Sequence, residues 1–318
     1  MKTKDTILAL LEEKRGQAIS GEDIAQRLNI SRNAVWKVIN KLKEDGHQIE
    51  ATSNKGYSLN KNSDIISKVG IMSNLHVDAE IDVHQKVEST NTIAKERAIA
   101  GAKHGTVIIA EEQSSGRGRH GRSFFSPAGH GIYMSLVLKP EEIGFDNPAL
   151  ITVYTAVAVC SAIEKVCNKY PQIKWVNDLF VNQKKICGIS AEIVMDLESQ
   201  TMQWIVVGIG INFTLPANLP KELVSIVGAV HEVPPNTTRN QLVAEVLNKM
   251  LAPNYKQQEI ISEYRKRLFI LGKKIRVEAA EPYNAVAIDI NEQGHLIVED
   301  ESGERKLLSA GEISVRVN

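Results

Sequence analysis

Residues 106–138, TVIIAEEQSSGRGRHGRSFFSPAGHGIYMSLVL, hold two apolar segments separated by a loop of glycines and arginines. Within the loop, Gly116–Gly121 matches the GxGxxG dinucleotide fingerprint, and Glu141 lies about where that fingerprint expects an acid. In a true dinucleotide site a helix begins in the glycine turn, so that its N-terminus meets the pyrophosphate. Here Ser126-Pro127 and further glycines follow, and then a second strand begins. The stretch therefore predicts two strands joined by a loop, and its context contradicts a dinucleotide-binding fold.

The same loop carries three permanent cations, Arg117, Arg119 and Arg122, spaced by glycines. Such a segment has little intrinsic order and can fold over an anion, to which it offers guanidinium groups and backbone N–H groups. The alternatives are a flexible basic loop and an RNA-binding arm. RNA is the poorer alternative, because no aromatic residue stands between the arginines to stack on bases.

The composition describes an ordinary globular chain without a dominant charge. Its 318 residues suffice for two or three domains, and 43% of them are hydrophobic and 24% charged. Because 38 basic residues balance 38 acidic ones, we expect any DNA contact to come from a local patch that dimerisation reinforces. No segment is expected to reach the roughly 18–20 apolar residues of a membrane span, and no signal peptide is recognised. We therefore expect a cytoplasmic protein with no membrane partner.

The three cysteines are Cys160, Cys167 and Cys187. They form neither a CxxC pair nor a Cys/His cluster with the spacing of metal ligands. We expect buried or half-buried thiols in a reducing compartment, and no metal site built from these residues.

Residues 1–62 predict a winged helix-turn-helix domain. Ser20 precedes an amphipathic segment, with Asp23 three residues further on, and Ser31 precedes a second segment that ends at Gly46. Serine caps helices at such positions, and glycine ends them. A hairpin around residues 53–56 would form the wing.

The helix after Ser31 is the predicted DNA-reading element. Along residues 31–43 its basic side chains meet no acid, and the N-terminal part of such a helix usually enters a major groove. The alternative is a winged helix used for protein contacts or domain packing. One module of modest charge binds weakly, so two copies on a two-fold operator are expected. The predicted DNA-binding residues are Ser20, Gly21, Glu22, Ser31, Arg32, Asn33, Ala34, Lys37, Lys41 and, at the wing tip, Lys55.

The rest of the chain predicts two further domains in an α+β, multidomain fold. Residues 63–269 mix strands with amphipathic helices, the longest over residues 148–170. Residues 270–318 contain five short alternating strands, which predict a small SH3-like β-barrel.

The central domain holds further candidate site segments. They are Glu88–Asn91 at a strand-to-helix junction, Gln113 at a strand end, Lys174–Asp178 before a hairpin, Lys185 in that hairpin, and Gly208–Phe213. Most have a plainer explanation: a helix cap, a solvated lysine beside a turn, or glycines that pack a core strand.

The order and spacing of these segments resemble the catalytic domain of biotin–protein ligases. The segments are EST-N, then Q-SSGRGRHGR, KWVND-L, KKICGISAE and GIGINF. The resemblance extends to a winged helix ending in NKGYSL and a terminal domain ending in AGEISVRV, as in the bifunctional class that combines ligase and biotin-operon repressor. It implies a central mixed-sheet ligase domain related to class II synthetase folds.

The resemblance implies ATP, biotin and Mg²⁺ as the small molecules of the reaction. Biotin would be activated as biotinyl-5′-AMP, with release of pyrophosphate, and transferred to a lysine of a biotin carrier protein such as the acetyl-CoA carboxylase subunit. The adenylate would also promote a homodimer that binds operator DNA. The alternatives are another acyl-adenylate transferase, such as a lipoate ligase, and a biotin- or lipoate-sensing transcription factor without chemistry.

The resemblance also implies residue roles. The implied biotin-binding residues are Ser89, Thr90, Asn91, Gln113, Gly116, Arg117, Gly118, Arg119 and Lys185. The implied catalytic residues are Lys185, Arg119, Arg122 and Asp178, and the nucleotide-binding residues are Arg122, Phe124, Asn177 and Asn212. The sequence departs from the family pattern at Phe124, where Trp is frequent, and at Val176, where Pro is frequent. Phe124 keeps an apolar wall for the adenylate but lacks the indole N–H donor.

Overall fold

A computed structural model describes residues 3–52, 55–144, 147–195, 202–233, 235–252, 256–279, 281–309 and 314–317. The chain divides into two compact units. One contains Met1–His76 and Val233–Glu245, and the other contains Val77–Glu232 and Val246–Asn318. Compared with the predicted domains, this division adds Val233–Glu245 to the N-terminal unit. It also keeps residues 270–318 in the same unit as the central domain. The domain boundaries after residues 62 and 269 stay predictions.

The first unit is built on the predicted winged helix-turn-helix. Its elements are α1 (Thr3–Glu13), α2 (Gly21–Leu28), α3 (Arg32–Glu44), β1 (Ile49–Thr52), β2 (Gly56–Leu59) and α4 (Lys68–Met72). Strands β1 and β2 pair antiparallel, and residues 53–54 at the expected wing tip lie outside the described residues. Helices α1–α3 and the wing enclose an apolar core that includes Ile7, Leu11, Ile24, Ile39 and Leu42.

Both predicted helix caps are confirmed. The Ser20 hydroxyl accepts a hydrogen bond from the Asp23 amide at 2.9 Å, and the Ser31 hydroxyl accepts one from the Ala34 amide at 3.1 Å. These bonds satisfy amides that a helix N-terminus otherwise leaves unpaired. Helix α3 ends two residues before Gly46, whose positive φ of 97° suits glycine. Local sequence thus sets where α2 and α3 begin.

The second unit contains a large sheet with helices and a smaller C-terminal sheet. Its first elements are β3 (Glu80–Val87), α5 (Thr90–Ile99), β4 (Thr106–Gln113), β5 (Gly131–Leu138), α6 (Pro140–Ile143), α7 (Pro148–Cys167), β6 (Gln172–Lys174), β7 (Asp178–Val181), β8 (Lys184–Met195) and β9 (Met202–Asn212). They are followed by α8 (Arg239–Met250), whose first half belongs to the first unit, α9 (Gln257–Arg267), β10 (Lys274–Glu278), β11 (Tyr283–Ile290), β12 (Leu296–Asp300), β13 (Arg305–Leu308) and β14 (Ser314–Val317).

The large sheet is mixed, with the order β3-β4-β5-β9-β8-β7-β6. Only the β3–β4 pair is parallel among the described strands, and the other neighbours pair antiparallel. Strands β4 and β5 flank the arginine loop and pair antiparallel, with a single 3₁₀ turn at Arg119–Gly121 between them. A dinucleotide site needs a helix after the first strand. The prediction that the glycine–arginine loop does not belong to a dinucleotide-binding fold is therefore confirmed.

The C-terminal sheet is antiparallel throughout, with the order β13-β12-β11-β10-β14. All five strands predicted from alternating residues are present. Residues 310–313, within the motif AGEISVRV, lie outside the described residues. The indole N–H of Trp175 donates to the carbonyl oxygen of Gly294 at 3.0 Å and links the central domain to this sheet.

The expectation that no segment is long and apolar enough to span a membrane was wrong. Ala149–Cys167, within α7, is long and apolar enough for a membrane span by length and composition, with a mean hydropathy of 1.6. However, 78% of that stretch is buried inside the protein, as in a core helix that is apolar all round. Helix α7 also carries Cys160 and Cys167, which are free and buried like Cys187 on β8, as expected.

Candidate active site and nucleic-acid interface

A cavity of about 660 Å³ opens above the large sheet, under the arginine loop. Most of the predicted site residues line it: Ser89, Thr90, Asn91, Gln113, Arg117, Gly118, Arg119, Arg122, Phe124, Asn177, Asp178 and Lys185. Gly116 and Asn212 are not among its lining residues. The loop and the hairpin lysine, which are more than sixty residues apart in sequence, thus face the same space.

Glycines on adjacent strands form the floor of the cavity. Gly188 on β8 is paired with Gly210 on β9, and a Cβ atom added at Gly210 would lie 2.7 Å from the Phe124 ring. The ring also packs edge-on against Tyr133, with centroids 6.3 Å apart. Phe124 therefore needs the bare backbone beneath it, which gives these glycines a packing role.

The polar wall of the cavity comes from the start of α5 and the end of β4. Gln113 Oε1 accepts hydrogen bonds from the Thr90 amide at 2.9 Å and from the Thr90 hydroxyl at 3.2 Å, and Gln113 Nε2 donates to Ser126 Oγ at 3.0 Å. Ser89 stands at the N-cap of α5, but its side chain makes no capping bond. The capping explanation for Ser89 therefore does not hold in this structure.

Cationic side chains also line the cavity. Lys185 Nζ lies 2.6 Å from Asp178 Oδ1, and Arg119 Nη1 donates to Asn177 Oδ1 at 3.2 Å. Burial lowers the pKa of the Arg119 guanidinium, and the Asp178 carboxylate opposes that shift. Because a guanidinium keeps its proton under such conditions, Arg119 remains a half-buried cation.

Backbone bonds fix both ends of the arginine loop. The Gln113 amide donates to the carbonyl of Ser126 at 3.1 Å, and the Phe124 amide donates to the carbonyl of Gly116 at 2.8 Å. At the tip, the Gly118 amide donates to the carbonyl of Arg122 at 2.7 Å. A Cβ atom at Gly116 would lie within 3.0 Å of three neighbouring atoms. Gly116 therefore contributes space at the base of the loop, not a surface of the cavity.

Asn212 supports the strand beside the cavity. Its side-chain amide donates to the carbonyls of Gly228 at 3.1 Å and Lys185 at 3.4 Å, and its implied nucleotide role stays a prediction. The backbone of Lys185 also bonds to Ile226 and Gly228, each at 2.9 Å. Asn212 thus holds the strand that carries Lys185. Its partners come from a loop that local sequence could not locate.

Several residues of the site were missed by sequence reasoning. Ile226 lines the cavity, Ser135 bonds to the polar wall from β5, and the buried Tyr264 hydroxyl donates to the carbonyl of Val176 at 2.9 Å. Val176, one of the two departures from the family pattern, is buried and follows a cis peptide bond. Ser135 lies in an apolar strand, where an isolated polar group gives only a faint signal, and Tyr264 lies in a charged helix, where nothing in the local sequence marks it as part of the site.

Some basic side chains of α3 form ion pairs with acidic residues, which its sequence did not suggest. Arg32 forms an ion pair with Glu22 of α2 at 3.5 Å, and Lys41 forms one with Glu44 at 3.1 Å. The expectation that these bases meet no acid was therefore wrong, because it ignored residues just outside the segment. Glu22, predicted to contact DNA, directs its carboxylate to Arg32.

Trp36 is a candidate DNA-facing residue that sequence reasoning missed. Its side chain is 53% exposed on α3, next to Lys37, which is also exposed. The signal that could have identified Trp36 was the presence of an aromatic residue within a basic helix segment.

Family models match three parts of the chain. Residues 3–58 match an HTH domain, residues 83–212 match the biotin/lipoate A/B protein ligase family, and residues 270–316 match the biotin protein ligase C-terminal domain. In structure, the chain is similar to the biotin protein ligase from Aquifex aeolicus in complex with biotin and ATP. That likeness has a TM-score of 0.65 and 24% identity, and it covers 75% of this chain and 99% of that one. It shows the fold of a biotin protein ligase.

Two curated relatives match almost end to end. The bifunctional ligase/repressor BirA of Bacillus subtilis is 30% identical in an alignment of 315 positions that covers 96% of each chain. The protein of the same name from Escherichia coli is 29% identical and covers 98% of this chain and 96% of its own. The chain belongs to the bifunctional ligase/repressor family of biotin protein ligases.

Proposed function

We propose that this protein joins biotin to ATP as biotinyl-5′-AMP and then transfers the biotinyl group to a lysine of a biotin carrier protein. In the adenylate-bound state it represses the biotin operon. The observation that carries the enzymatic part is the convergence of Lys185, Arg119 and Arg122 with the polar wall of Thr90 and Gln113 in one cavity.

The first step needs cations at the point where the biotin carboxylate meets the nucleotide. A carboxylate oxygen attacks the α-phosphorus of ATP, and the bond to the pyrophosphate oxygen breaks. Negative charge increases on the phosphoryl oxygens at the transition state, and fixed cations are most effective there. We assign this role to Lys185, with Arg119 and Arg122 ordering the loop above. Asp178 positions the Lys185 ammonium group through their ion pair.

The second step transfers the acyl group. The lysine amine of the carrier attacks the acyl carbon of the adenylate, AMP leaves with the electron pair of the broken anhydride bond, and the amine loses a proton. Phe124 and the glycine floor exclude water from the anhydride, and Asn177 keeps Arg119 in place.

Magnesium enters the proposal as an ion carried by the nucleotide phosphates. Asp178 is the one carboxylate among the described residues of the cavity, which suits an ion that takes most of its ligands from phosphate and water. Such an ion would neutralise charge on the triphosphate.

The regulatory part rests on the winged helix of the first unit. We infer that two copies bind a two-fold operator, and that the adenylate promotes this homodimer by ordering the arginine loop. Because ATP, carrier protein and DNA occur together in the cytoplasm, we place the protein there.

The deciding experiment is mass spectrometry of a biotin carrier domain incubated with the full chain, ATP and either biotin or lipoate. We expect the mass to increase by one biotinyl group with biotin alone. An increase with lipoate alone would assign the chain to lipoate ligases. No increase with either acid would support a sensor without chemistry.

A further inference from the structure

A buried tyrosine behind the cavity holds the turn that leads to Asp178. Strands β6 and β7 pair antiparallel, with Lys174 opposite Asp178, so residues 175–177 form a three-residue turn between them. The Tyr264 hydroxyl donates to the carbonyl of Val176, in the middle of this turn, at 2.9 Å. Tyr264 lies on α9 and does not line the cavity. It therefore contacts the turn and not the space in which the substrates would bind.

The bond pairs a backbone group that is buried. Val176 and Tyr264 are both buried, and among the described residues Tyr264 provides the hydrogen bond to this carbonyl oxygen. Burial raises the pKa of the Tyr264 phenol well above its ordinary value, so the hydroxyl keeps the hydrogen that it donates. A buried carbonyl that loses its donor is costly. Removal of the hydroxyl would therefore favour a rearranged turn.

Helix α9 is itself anchored, which gives the Tyr264 hydroxyl a fixed position. Arg267, the last residue of α9, forms an ion pair with Glu164 of α7, in which Arg267 Nη2 donates to Glu164 Oε2 at 3.1 Å. Just after the helix, the Phe269 amide donates to the carbonyl of Ile173 on β6 at 3.2 Å. These bonds keep α9 beside β6 and the hydroxyl against the turn.

The two residues after Val176 depend on the turn to different degrees. Asn177 is also tied to β8, because its side-chain amide donates to the carbonyl of Ile189 at 2.9 Å and its carbonyl accepts from the Ile189 amide at 3.0 Å. Asp178 Oδ1 is buried, and its close contact is with Lys185 Nζ at 2.6 Å. A shift of the turn would therefore move the Asp178 carboxylate and, with it, the Lys185 ammonium group.

We propose that Tyr264 is a positioning residue for the adenylation step, which acts through Asp178 on the Lys185 ammonium group. The inference rests on the proposed function, in which Lys185 stabilises the transition state at the α-phosphorus. Such stabilisation depends steeply on geometry, because the cation must lie where charge develops. Biotin recognition depends on it less, since the polar wall of Thr90 and Gln113 belongs to α5 and β4.

The test is Tyr264→Phe in the full chain, which removes the hydroxyl and keeps the ring. Single-turnover release of pyrophosphate, with biotin and ATP, should slow by about tenfold or more. The dissociation constant of biotin, from titration calorimetry, should stay within about threefold of the wild type.

The matched control is Tyr154→Phe. The Tyr154 hydroxyl also donates to a backbone carbonyl, that of Lys249 at 2.7 Å, and Tyr154 is buried but does not line the cavity. Its loss removes a bond of the same kind and should leave the rate of pyrophosphate release within about threefold of the wild type. An equal loss of rate in both variants would overturn the proposal, because it would show an effect of stability alone.

A double-mutant cycle tests the route through Lys185. In the Lys185→Ala background, Tyr264→Phe should lower the remaining rate by less than about threefold, because the group that it positions is gone. An undiminished effect in that background, or a normal rate for Tyr264→Phe alone, would overturn the proposal. A wild type that releases no pyrophosphate would overturn the proposed function instead.

A second change keeps the test valid if Tyr264→Phe does not fold. An ester in place of the peptide bond between Val176 and Asn177 makes the carbonyl a weaker acceptor and keeps every side chain. It should slow pyrophosphate release by about threefold or more. A normal rate for the ester would likewise overturn the proposal.

Discussion

Lys185 is the residue on which the proposed chemistry depends most. Its ammonium group lies beside Asp178 in the cavity, and its backbone is held by the loop at Ile226 and Gly228. These bonds aim one flexible side chain at the place where carboxylate and phosphate would meet. A group of this kind stabilises the transition state more than the bound substrates.

We expect Lys185→Ala to lower the rate of adenylate formation by about 10²–10³-fold, the effect of removing one transition-state contact. Pyrophosphate release in a single turnover, with biotin and ATP, measures that rate. The matched control is Lys184→Gln, whose exposed ammonium group contacts the carbonyl of Val224 at 3.2 Å. The control should stay within about threefold of the wild type, since it removes no contact to a charged reacting group. A near-normal rate for Lys185→Ala would contradict its assigned role.

At this scale the sequence predicts which residue types meet in the site, but it predicts their hydrogen-bond partners less well. Ser20 and Ser31 were correctly assigned as caps because a cap depends on residues only three positions away. The bond from Asn212 to Gly228 was not predicted, because Gly228 belongs to a loop whose path depends on the whole sheet.

Among the elements, α3 combines the features expected of a DNA-reading helix. Lys37 and Trp36 are exposed on it, while Arg32 is paired with Glu22 across the turn between α2 and α3. That pair is exposed, and exposed pairs contribute only about 0–1 kcal/mol. Phosphate groups would therefore compete effectively for Arg32.

We expect Glu22→Gln to strengthen DNA binding by about two- to fivefold at low salt, because it removes a negative charge and releases Arg32. Lys37→Gln should act in the opposite direction and lower the salt dependence by about one phosphate contact. Emission from Trp36 during titration with duplex DNA measures both effects, because Trp175 and Trp204 are 4% and 7% exposed. Weaker binding by Glu22→Gln would show instead that Glu22 holds Arg32 in its binding position.

The strands show what periodicity predicts and where it stops. Strands β10–β14 were predicted because alternating residues and turn signals are local. The same patterns do not indicate that β3 pairs parallel to β4 while the other strands of the large sheet pair antiparallel. The direction in which two strands pair depends on the path of the chain that connects them. A short stretch of sequence does not contain that information.

At the scale of the whole molecule, a buried ion pair joins segments 175 residues apart within the first unit. Arg239 is 1% exposed, its Nε lies 3.0 Å from Asp64 Oδ2, and its amide donates to Asp64 Oδ1 at 2.8 Å. Asn240 adds bonds to Ser67 and Ile65 at 3.0 and 2.8 Å. Residues 233–245 therefore belong with the winged helix, which no pattern around Arg239 suggested.

We expect Arg239→Ala to destabilise the first unit by about 3–5 kcal/mol, because it leaves the Asp64 carboxylate without its buried partner. Hydrogen exchange of the buried amides in α1–α3 measures the free energy of opening. The control is Arg265→Ala, which breaks a half-exposed pair with Asp289 at 2.6 Å and should cost less than about 1 kcal/mol. Equal, small effects of both variants would mean that the Arg239 pair is structurally dispensable.

The positions of the cysteines supply a built-in reporter for one unit only. All three lie in the second unit, and the sequence of the first unit, Met1–His76 and Val233–Glu245, contains none. Burial raises the pKa of Cys160 to about 12 and raises that of Cys187 well above its ordinary value, so neither forms the thiolate that alkylating reagents attack. Iodoacetamide labelling of Cys160 and Cys187 in the native protein should therefore proceed only as fast as the ligase part opens. Opening of the winged helix alone would add no label at either of these two cysteines.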